Sequence, residues 1–480
     1  MSLCTLLAAC GGGSTPAPEP DAGIISPDMR TPCVRSVSPA RGLIGSEVTL
    51  TGDFGDKPVP IAFSGYPPGE GAQVEVRSWS PTQVVVSVPT LGWGSWQVTA
   101  LHGCELQPTP TFTVLPPPRI YIHNNADDAD GSDTITTLAY DPASGALTQL
   151  GPPTSLGLHA SHQPGCRSSL LIAGSPSRLQ AAGDNGIAVF DIDRATGALS
   201  PIAGSPFLTG ATGGATLRYS VGAYLWAATD AGVMAWRFDA GGRLVNRTKI
   251  SAAPARSITL FGQLPTRVYT TRGDDTFDAW SASYKPGQDT GNGAITMPVL
   301  APLTGSPFGT PDTSAPAAGT AFATNNNLLY VPSPAGLRLW QVVVTATEVP
   351  GSPFALNAPS GTLGAPLLFG GVRTPTTIYM PSMGSGYIVG AIADTTGAPS
   401  AAPGSPWNFA PDVTNLSCMT TAAASPGGTR LIASDAGNRR IAVFDLPGGA
   451  AKPIPVAGSP FTMTETPSEL ASGIAVLVSL

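Results

Sequence analysis

Charged residues are scarce in this sequence. Asp, Glu, Lys and Arg make up only 11% of its 480 residues, and the net charge is -7. The 24 Lys and Arg residues form no basic cluster. Because nucleic acids are held mainly by basic side chains that contact phosphates, this composition argues against a nucleic-acid partner.

Long apolar runs and helical periodicity are also missing. No stretch approaches the roughly 18 apolar residues of a membrane-spanning helix, so we expect none. Few windows show a 3.6-residue apolar period, whereas short alternating or apolar runs such as GIAVFDID, RIAVFDL and TQVVVSVP are frequent. With 57 Gly and 50 Pro available for turns, the chain is predicted to be all-β, and its length calls for at least two domains.

A lipidation motif lies near the N-terminus. Residues 1–10 end in Leu-Ala-Ala-Cys, which resembles the lipobox of bacterial lipoproteins; the resemblance implies signal cleavage and a diacylated Cys10. Residues 11–31 are rich in Gly, Ser and Pro, as in a flexible tether. None of the residues before Cys10 is basic, so we expect the natural start to lie upstream. Glycine after the cysteine favours the outer membrane, and the alternative is a chance match in an unstructured N-terminus.

Export would place the remaining cysteines in an oxidising compartment, where disulfides form. Loss of Cys4 with the signal and acylation of Cys10 leave four: Cys33, Cys104, Cys166 and Cys418. Four cysteines allow three pairings. We predict Cys33 with Cys104, because both lie in one small domain, which leaves Cys166 and Cys418. No Cys-x-x-Cys or His/Cys cluster indicates zinc, and no cofactor is expected.

Residues 32–115 predict a small β-sandwich, because about seven short strands bounded by Pro or Gly occur in that length. Their motif order resembles the IPT/TIG family. The matching positions are Val37, Pro39, Gly42, Gly45, Val48, Gly52, Phe54, Phe63, Gly65, Val86, Pro89, Trp96 and Val98. The resemblance implies an immunoglobulin-like, non-catalytic module for spacing or for protein or glycan contact. Trp79, Trp93 and Trp96 are candidates for a sugar platform, although Trp96 alternates with Val98 as a core residue would.

Residues 118–480 repeat one strand pattern seven times. The repeated strands begin at Thr134, Gly186, Gly232, Phe277, Gly336, Gly386 and Arg440. Each follows a shorter strand, usually across a Gly, Asp or Asn turn typical of tight hairpins, and most units add strands before and after the hairpin. Four strands in each of seven units predict a seven-bladed β-propeller. The first unit lacks its inner strand, so ASGIAVLVSL is predicted to supply it beside RIYIHNN.

Three strings, YVPSPAGLRLW, ASDAGNRRIAVFD and DRATGALSPIAGSPF, resemble the lactonase-type seven-bladed propellers, a family that includes a bacterial 6-phosphogluconolactonase. The resemblance implies the fold and raises lactone hydrolysis as an activity.

A Gly-Ser-Pro motif followed by Phe or Trp recurs at Gly204, Gly305, Gly351, Gly404 and Gly458. Each copy follows the predicted outermost strand of a blade. Because glycine and proline interrupt strands, we predict that the chain leaves the sheet here and crosses to the next blade. The aromatic side chain is expected to fill the wedge between the two sheets. Five equivalent copies indicate a structural role and not a nucleophilic serine.

Residues suited to catalysis are few. Opening a lactone needs a general base and a group that stabilises the oxyanion, and only His159, His162 and Arg167 form a candidate cluster; the alternative is a polar loop. No nucleophile elbow is present. An acidic loop with Asp127, Asp128, Asp130 and Asp133 is a weak calcium candidate, and a solvated turn is the alternative.

The sequence as a whole predicts a lipid-anchored, monomeric cell-envelope protein. Its leading function is non-catalytic binding or scaffolding, with an envelope protein or a glycan as partner. The alternatives are a lactone hydrolase that uses the channel mouth near His159 and His162, and adhesion or carbohydrate recognition by the sandwich.

Overall fold

The computed structural model describes residues 32–64, 71–100, 108–125, 132–159, 170–173, 178–208, 210, 216–220, 224–239, 241–261, 266–272, 276–283, 299–309, 322–323, 327–333, 335–359, 363–369, 376–424, 428–447, 451–463 and 469–477. The chain divides into two compact units, Met1–Val114 and Leu115–Leu480. The regular secondary structure of the described residues consists of β-strands and one short 3-10 helix, Ala436–Asn438. Among these residues no helix is long and apolar enough to cross a membrane.

The first unit is a sandwich of two antiparallel sheets. Its strands are β1 (Cys33–Ser38), β2 (Arg41–Leu43), β3 (Glu47–Asp53), β4 (Ile61–Ser64), β5 (Gly71–Gln73), β6 (Val76–Trp79), β7 (Gln83–Ser87), β8 (Gly94–Ala100) and β9 (Thr111–Leu115). One sheet has the order β1-β3-β7-β6 and the other β2-β9-β8-β4-β5. Alternate residues of both sheets, such as Leu50, Val86 and Val98, are fully buried in one core. The period-two pattern therefore places one face of each sheet inside.

The three tryptophans of this unit pack on or in that core. Trp96 is buried, and Trp79 stacks edge-on against Phe54 and donates to the carbonyl oxygen of Gly55. Trp93 packs against the same core and is partly buried. Trp96 is therefore a core residue, whereas Trp79 and Trp93 are partly exposed, and glycan contact by this unit stays a prediction.

The second unit contains seven antiparallel sheets among its described residues. The strands of its first half are β10 (Arg119–Asn125), β11 (Thr134–Tyr140), β12 (Leu147–Gln149), β13 (Thr154–Ser155), β14 (Leu170–Ala173), β15 (Arg178–Ala182), β16 (Gly186–Ile192), β17 (Leu199–Pro201), β18 (Phe207–Leu208), β19 (Thr216–Ser220), β20 (Tyr224–Thr229), β21 (Gly232–Phe238), β22 (Leu244–Ser251), β23 (Ser257–Phe261), β24 (Arg267–Thr271), β25 (Phe277–Ser283) and β26 (Val299–Pro302). Those of the second half are β27 (Phe322–Ala323), β28 (Leu328–Ser333), β29 (Gly336–Val342), β30 (Ala346–Glu348), β31 (Leu367–Phe369), β32 (Thr376–Ser382), β33 (Tyr387–Ala393), β34 (Pro399–Ala401), β35 (Trp407–Asn408), β36 (Leu416–Ala424), β37 (Gly428–Asp435), β38 (Arg440–Asp445), β39 (Ile454–Pro455), β40 (Phe461–Thr462) and β41 (Glu469–Leu477).

Each sheet is one blade of a seven-bladed propeller, as the sequence predicted. From the inner to the outer strand the blades are β41-β10-β11-β12, β14-β15-β16-β17, β19-β20-β21-β22, β23-β24-β25-β26, β27-β28-β29-β30, β31-β32-β33-β34 and β36-β37-β38-β39, called blades 1 to 7. Inner strands of adjacent blades contact one another, as β14 does with β41 and β19. They therefore surround the central channel of the propeller.

The ring is closed by β41, which is the inner strand of blade 1. It pairs antiparallel with β10, with Ile120 opposite Val476 and Ile122 opposite Ile474. This pairing confirms the predicted closure. The first blade therefore depends on a strand that lies more than 300 residues away in the sequence.

The Gly-Ser-Pro motif bends the fourth strand of a blade without ending its pairing. In blade 2 the hydroxyl of Ser205 accepts a hydrogen bond from the backbone N–H of Val189 (2.9 Å), and Phe207 then pairs with Ile187 of the same strand. Ser306, Ser352, Ser405 and Ser459 accept equivalent bonds from the third strands of their blades. All five Ser-Pro peptide bonds are cis.

The prediction that the chain leaves the sheet at this motif is therefore wrong. The serine hydroxyl replaces a backbone acceptor at the bend, so that the ladder resumes at the aromatic residue and the chain crosses to the next blade only afterwards. The predicted place of the aromatic side chain is confirmed. Phe308 and Trp407 are buried in the clusters that join blade 4 to 5 and blade 6 to 7.

In several blades, a side chain on the second strand donates hydrogen bonds to backbone carbonyl oxygens of the next blade. In blade 7, Arg430 donates to the carbonyl oxygens of Pro142 (2.8 Å) and Ala143 (2.9 Å) in blade 1. In blade 5, the Tyr330 hydroxyl donates to the carbonyl oxygen of Gly397 in blade 6 (2.7 Å), and burial raises the pKa of this phenol to about 12. Similar bonds start from Tyr121 and Tyr379. These contacts fix the angle between blades, and with it the channel.

Candidate functional site

Most buried polar side chains of the described propeller lie at one end of the blades. This is the hairpin end, where the second strand of each blade turns into the third. Examples are His123, Asp133, Thr229, Ser257, Thr271, Asp278, Ser333, Ser382, Ser417, Ser434 and Asp435. Because buried polar groups must be hydrogen-bonded, the hairpin end carries a polar network at the rim of the channel, whereas the wedges between blades are apolar.

In blade 1 the network is centred on Asp133, directly before β11. Its carboxylate is 1% exposed; Oδ2 lies 2.9 Å from Nε2 of the buried His123, and Oδ1 lies 3.4 Å from Nδ1 of His159. The second distance is longer than a good hydrogen bond. The His159 side chain is 31% exposed, and its carbonyl oxygen accepts from the backbone N–H of Asp184 in the hairpin of blade 2. One carboxylate therefore faces a buried histidine and a histidine that reaches the surface.

In blade 4, Arg272 and Asp278 form a bidentate pair across the hairpin. Both arginine-to-carboxylate distances are 2.8 Å; Arg272 is 30% exposed and Asp278 only 5%. The hydroxyl of Ser306, from the Gly-Ser-Pro motif of the same blade, also donates to Asp278 (3.1 Å). The motif therefore supports the rim of the channel as well as the strand.

In blade 7, Asp435 ends β37 and Arg440 begins β38. The carboxylate of Asp435 is fully buried and accepts from Nη2 of Arg440 (3.0 Å), whose side chain is 25% exposed. It also accepts from Nδ2 of Asn438 and from the backbone N–H groups of Thr414 and Asn415. These donors hold the carboxylate in one orientation.

Blades 1, 4 and 7 thus repeat one arrangement, called here the base–Asp pairs: His159 with Asp133, Arg272 with Asp278, and Arg440 with Asp435. In each, a buried carboxylate stands behind a basic side chain that is a quarter to a third exposed. A buried carboxylate is tolerated only when it is paired and hydrogen-bonded. The result is two oriented guanidinium donors at the hairpin end, with a histidine ring beside the third carboxylate, an arrangement suited to a ligand rich in oxygen atoms.

The structure describes only part of the predicted catalytic cluster. His159 is at the hairpin end, whereas His162 and Arg167 lie outside the described residues. Of the calcium candidates, Asp133 faces the two histidines, and Asp127, Asp128 and Asp130 lie outside the described residues. In the part of the chain that the structure describes, no three His, Cys, Asp or Glu side chains are grouped as a metal site.

The structure also describes only some of the cysteines for which we made predictions. Cys33 and Cys418 are buried, but Cys10, Cys104 and Cys166 lie outside the described residues. Both the lipidation and the two pairings stay predictions.

The sequence analysis missed His123 and the two Arg/Asp pairs. The signal available was the composition of the hairpin turns, TTRGDDTFDA and ASDAGNRR, where an acidic and a basic residue flank the turn. Antiparallel pairing across a hairpin brings such residues together. Which of them would be buried depended on the neighbouring blade.

A shallow recess of about 180 Å³ lies at the hairpin end of blade 5. Its lining includes Ser333, Gly336, Asn357 and Leu363, and none of the described residues that line it is ionisable. The base–Asp pairs do not contribute to it.

No protein-family model matches the chain, and no curated protein matches it either. Several solved structures are similar to the chain. A candidate 6-phosphogluconolactonase from Bacteroides uniformis has a TM-score of 0.54 at 10% identity, covering 75% of this chain and 99% of that one. A protein from Lactobacillus plantarum has a TM-score of 0.51 at 12% identity with the same coverage. At such identities the likeness shows the lactonase-like propeller fold and nothing further.

Proposed function

We propose that this protein is a non-catalytic binding protein of the cell envelope, whose propeller takes a polar ligand at the hairpin end of its channel. The observation that carries the proposal is the repetition of the base–Asp pairs in three blades. Donors fixed by buried carboxylates lose little conformational freedom when a ligand binds, which favours affinity. The stabilising bonds between blades serve the same end, because they keep the three pairs at constant separation.

The test uses the purified full chain with a panel of monosaccharides, sugar acids and their lactones, followed by thermal shift and calorimetric titration. At least one compound should raise the unfolding temperature. The double variant Arg272→Lys/Arg440→Lys keeps the positive charge beside each buried carboxylate but loses the planar guanidinium, so it should bind that compound at least tenfold more weakly. The control is Arg194→Lys on an exposed turn of blade 2. A panel without a ligand, or equal affinity in the double variant, contradicts the proposal.

Lactone hydrolysis is the second candidate, favoured by the arrangement of His159 and Asp133. A histidine with one ring nitrogen facing a buried carboxylate can act as a general base, because the carboxylate orients the ring and stabilises the imidazolium. Here Nδ1 of His159 is buried facing Asp133, which leaves the rest of the ring to meet a water molecule that attacks a lactone carbonyl. Hydrolysis of gluconolactone that is lost in His159→Gln, with the fold retained, would establish this function in place of non-catalytic binding.

Envelope anchoring belongs to the same proposal and is supported by the Leu-Ala-Ala-Cys motif and the Gly/Pro-rich tether. We propose that Cys10 carries the lipid and that the first unit is an IPT/TIG spacer that holds the monomeric propeller away from the membrane. Cells that express the chain should incorporate labelled palmitate into it, and Cys10→Ala should abolish the label. Persistent labelling of the variant contradicts the assignment.

A further inference from the structure

One arginine at the channel differs from all those described above. Arg218 is the third residue of β19, the inner strand of blade 3, and pairs with Trp226 of β20. Because β19 contacts the inner strands of blades 2 and 4, Arg218 belongs to the wall of the channel. At about 3.3 Å per residue, it lies some two residues below the hairpin end, where Thr216 pairs with Ala228.

No carboxylate of the described residues pairs with Arg218. Arg178, Arg272, Arg430 and Arg440 each bind an aspartate, whereas the hydrogen bond of Arg218 goes from Nη1 to the carbonyl oxygen of its own neighbour, Leu217 (2.9 Å). Surrounding protein lowers the pKa of this guanidinium to about 10 through desolvation. At neutral pH it therefore remains a cation, held where charge is unfavourable.

Arg218 as a residue is nevertheless only partly buried. On the innermost strand of a blade, the open space next to such a residue is the channel. The three base–Asp pairs at the rim carry a carboxylate for each basic side chain. Arg218 thus supplies positive charge that nothing in its described surroundings compensates.

We infer that the channel binds a small molecule with an oxyanion group, which completes the coordination of Arg218. This inference deepens the proposed function and rests on it, since the oriented donors at the rim would bind the remaining oxygen atoms of the same molecule. A guanidinium offers two parallel N–H donors that match a carboxylate or a phosphate group. Retention of an unpaired, desolvated cation is typical of a functional site and unfavourable for folding.

The experiment is calorimetric titration of the full chain at low ionic strength with three probes. Inorganic phosphate and gluconate represent the two oxyanions, and sorbitol is the neutral match of gluconate. Wild type should bind one or both anions and bind sorbitol at least tenfold more weakly. Arg218→Gln should lose the anion preference by tenfold or more, while the exposed control Arg194→Gln should titrate like wild type. Binding of phosphate alone assigns a phosphate group to the ligand, and binding of gluconate alone assigns a carboxylate.

Equal anion affinity in Arg218→Gln and wild type overturns the inference, as does wild type that binds neither anion. If wild type binds sorbitol or another neutral compound of the panel and no anion, the binding function stands and the anion site fails. Melting curves check the fold of the variant, which should melt at the same or a higher temperature because an unpaired charge is removed. If Arg218→Gln fails to fold, Arg218→Lys is the second variant, because it keeps the positive charge but lacks the two parallel N–H donors of the guanidinium. Unchanged anion affinity in Arg218→Lys also contradicts the role of Arg218.

Discussion

Oδ2 of Asp133 lies 2.9 Å from Nε2 of His123, and both side chains are sealed from solvent. The pair joins the beginning of the third strand of blade 1 to its second strand. The buried carboxylate and imidazole hold each other in place, and the other carboxylate oxygen, Oδ1 of Asp133, faces Nδ1 of the more exposed His159.

Removal of Asp133 should therefore destabilise the propeller. Asp133→Ala leaves His123 without this partner in a buried site, at an expected loss of about 1–3 kcal/mol in the free energy of unfolding. Urea unfolding followed by circular dichroism measures the change. Asp412→Ala, at an exposed position, is the control and should change the free energy by less than about 0.5 kcal/mol. Equal stability of the two variants would contradict a supporting role for Asp133.

Loss of Arg430 should open the contact between blades 7 and 1. Its guanidinium binds Asp445 and the carbonyl oxygens of Pro142 and Ala143. Arg430→Ala removes these bonds. Asp445 is half exposed and stays hydrated without its partner, so the loss comes from the carbonyl oxygens left without a donor, and we expect about 1–3 kcal/mol. Arg247→Ala, at an exposed position of β22, is the matched control in thermal unfolding. A variant that melts with wild type would show that ring closure does not depend on this side chain.

The serines of the Gly-Ser-Pro motif should matter for stability and not for ligand binding. Ser205→Ala leaves the N–H of Val189 without its acceptor, which should cost about 1 kcal/mol. The control is Ser200→Ala, because Ser200 lies nearby at an exposed position of β17; this substitution should leave the stability unchanged. Chemical denaturation of both variants and titration with whichever probe binds wild type would check this; a loss of ligand affinity with unchanged stability would reverse the assignment.

Deletion of residues 472–480 should abolish cooperative unfolding of the propeller. It removes most of the strand that pairs with β10, and it exposes Ile120 and Ile122, which are fully buried in the full chain. The thermal transition of the full chain is the reference. A truncated chain with the same midpoint and enthalpy would show that blade 1 holds without its inner strand.

Stability should fall in acid through the aspartates that cap the turns between third and fourth strands. The hydroxyl and backbone N–H of Thr196 hold the pKa of Asp193 below its ordinary value of 3.8. Because this carboxyl has a lower pKa in the folded protein, its contribution is present above pH 3.8 and is lost as the pH falls through the folded value. Asp193→Ala should be less stable than wild type at pH 7, and the difference should shrink below pH 3.8. A difference that does not change with pH contradicts the capping bonds as its cause.

The all-β class, the seven blades and the closing strand could be predicted from the sequence, because each depends on local patterns that repeat. Alternation along the strands, turn residues between them and a period of about 50 residues are all visible in one dimension. The first blade lacked a strand and ASGIAVLVSL lacked a partner, so their pairing followed by elimination.

The course of the chain at the Gly-Ser-Pro motif could not be predicted in the same way. Glycine and proline indicated a break in the strand, but the hydroxyl of Ser205 meets the N–H of Val189, 16 residues earlier, and carries the ladder past the break. Local propensity predicted that the chain leaves the sheet at this motif, but a hydrogen bond across the sheet keeps it paired.

The candidate site was decided by tertiary structure. The sequence shows that His123, Asp133 and His159 are among few ionisable residues and that Arg218 lies in a short strand, but burial and pairing depend on neighbouring blades. The hairpin of blade 1 and the crossing to blade 2 bring the two histidines to one carboxylate. The closure of seven sheets around an axis places Arg218 in the channel wall without a counter-charge among the described residues. Sequence determined which strands form, since strand formation depends on residues that are close in the chain; the ring determined which charges meet, since that depends on residues that are far apart.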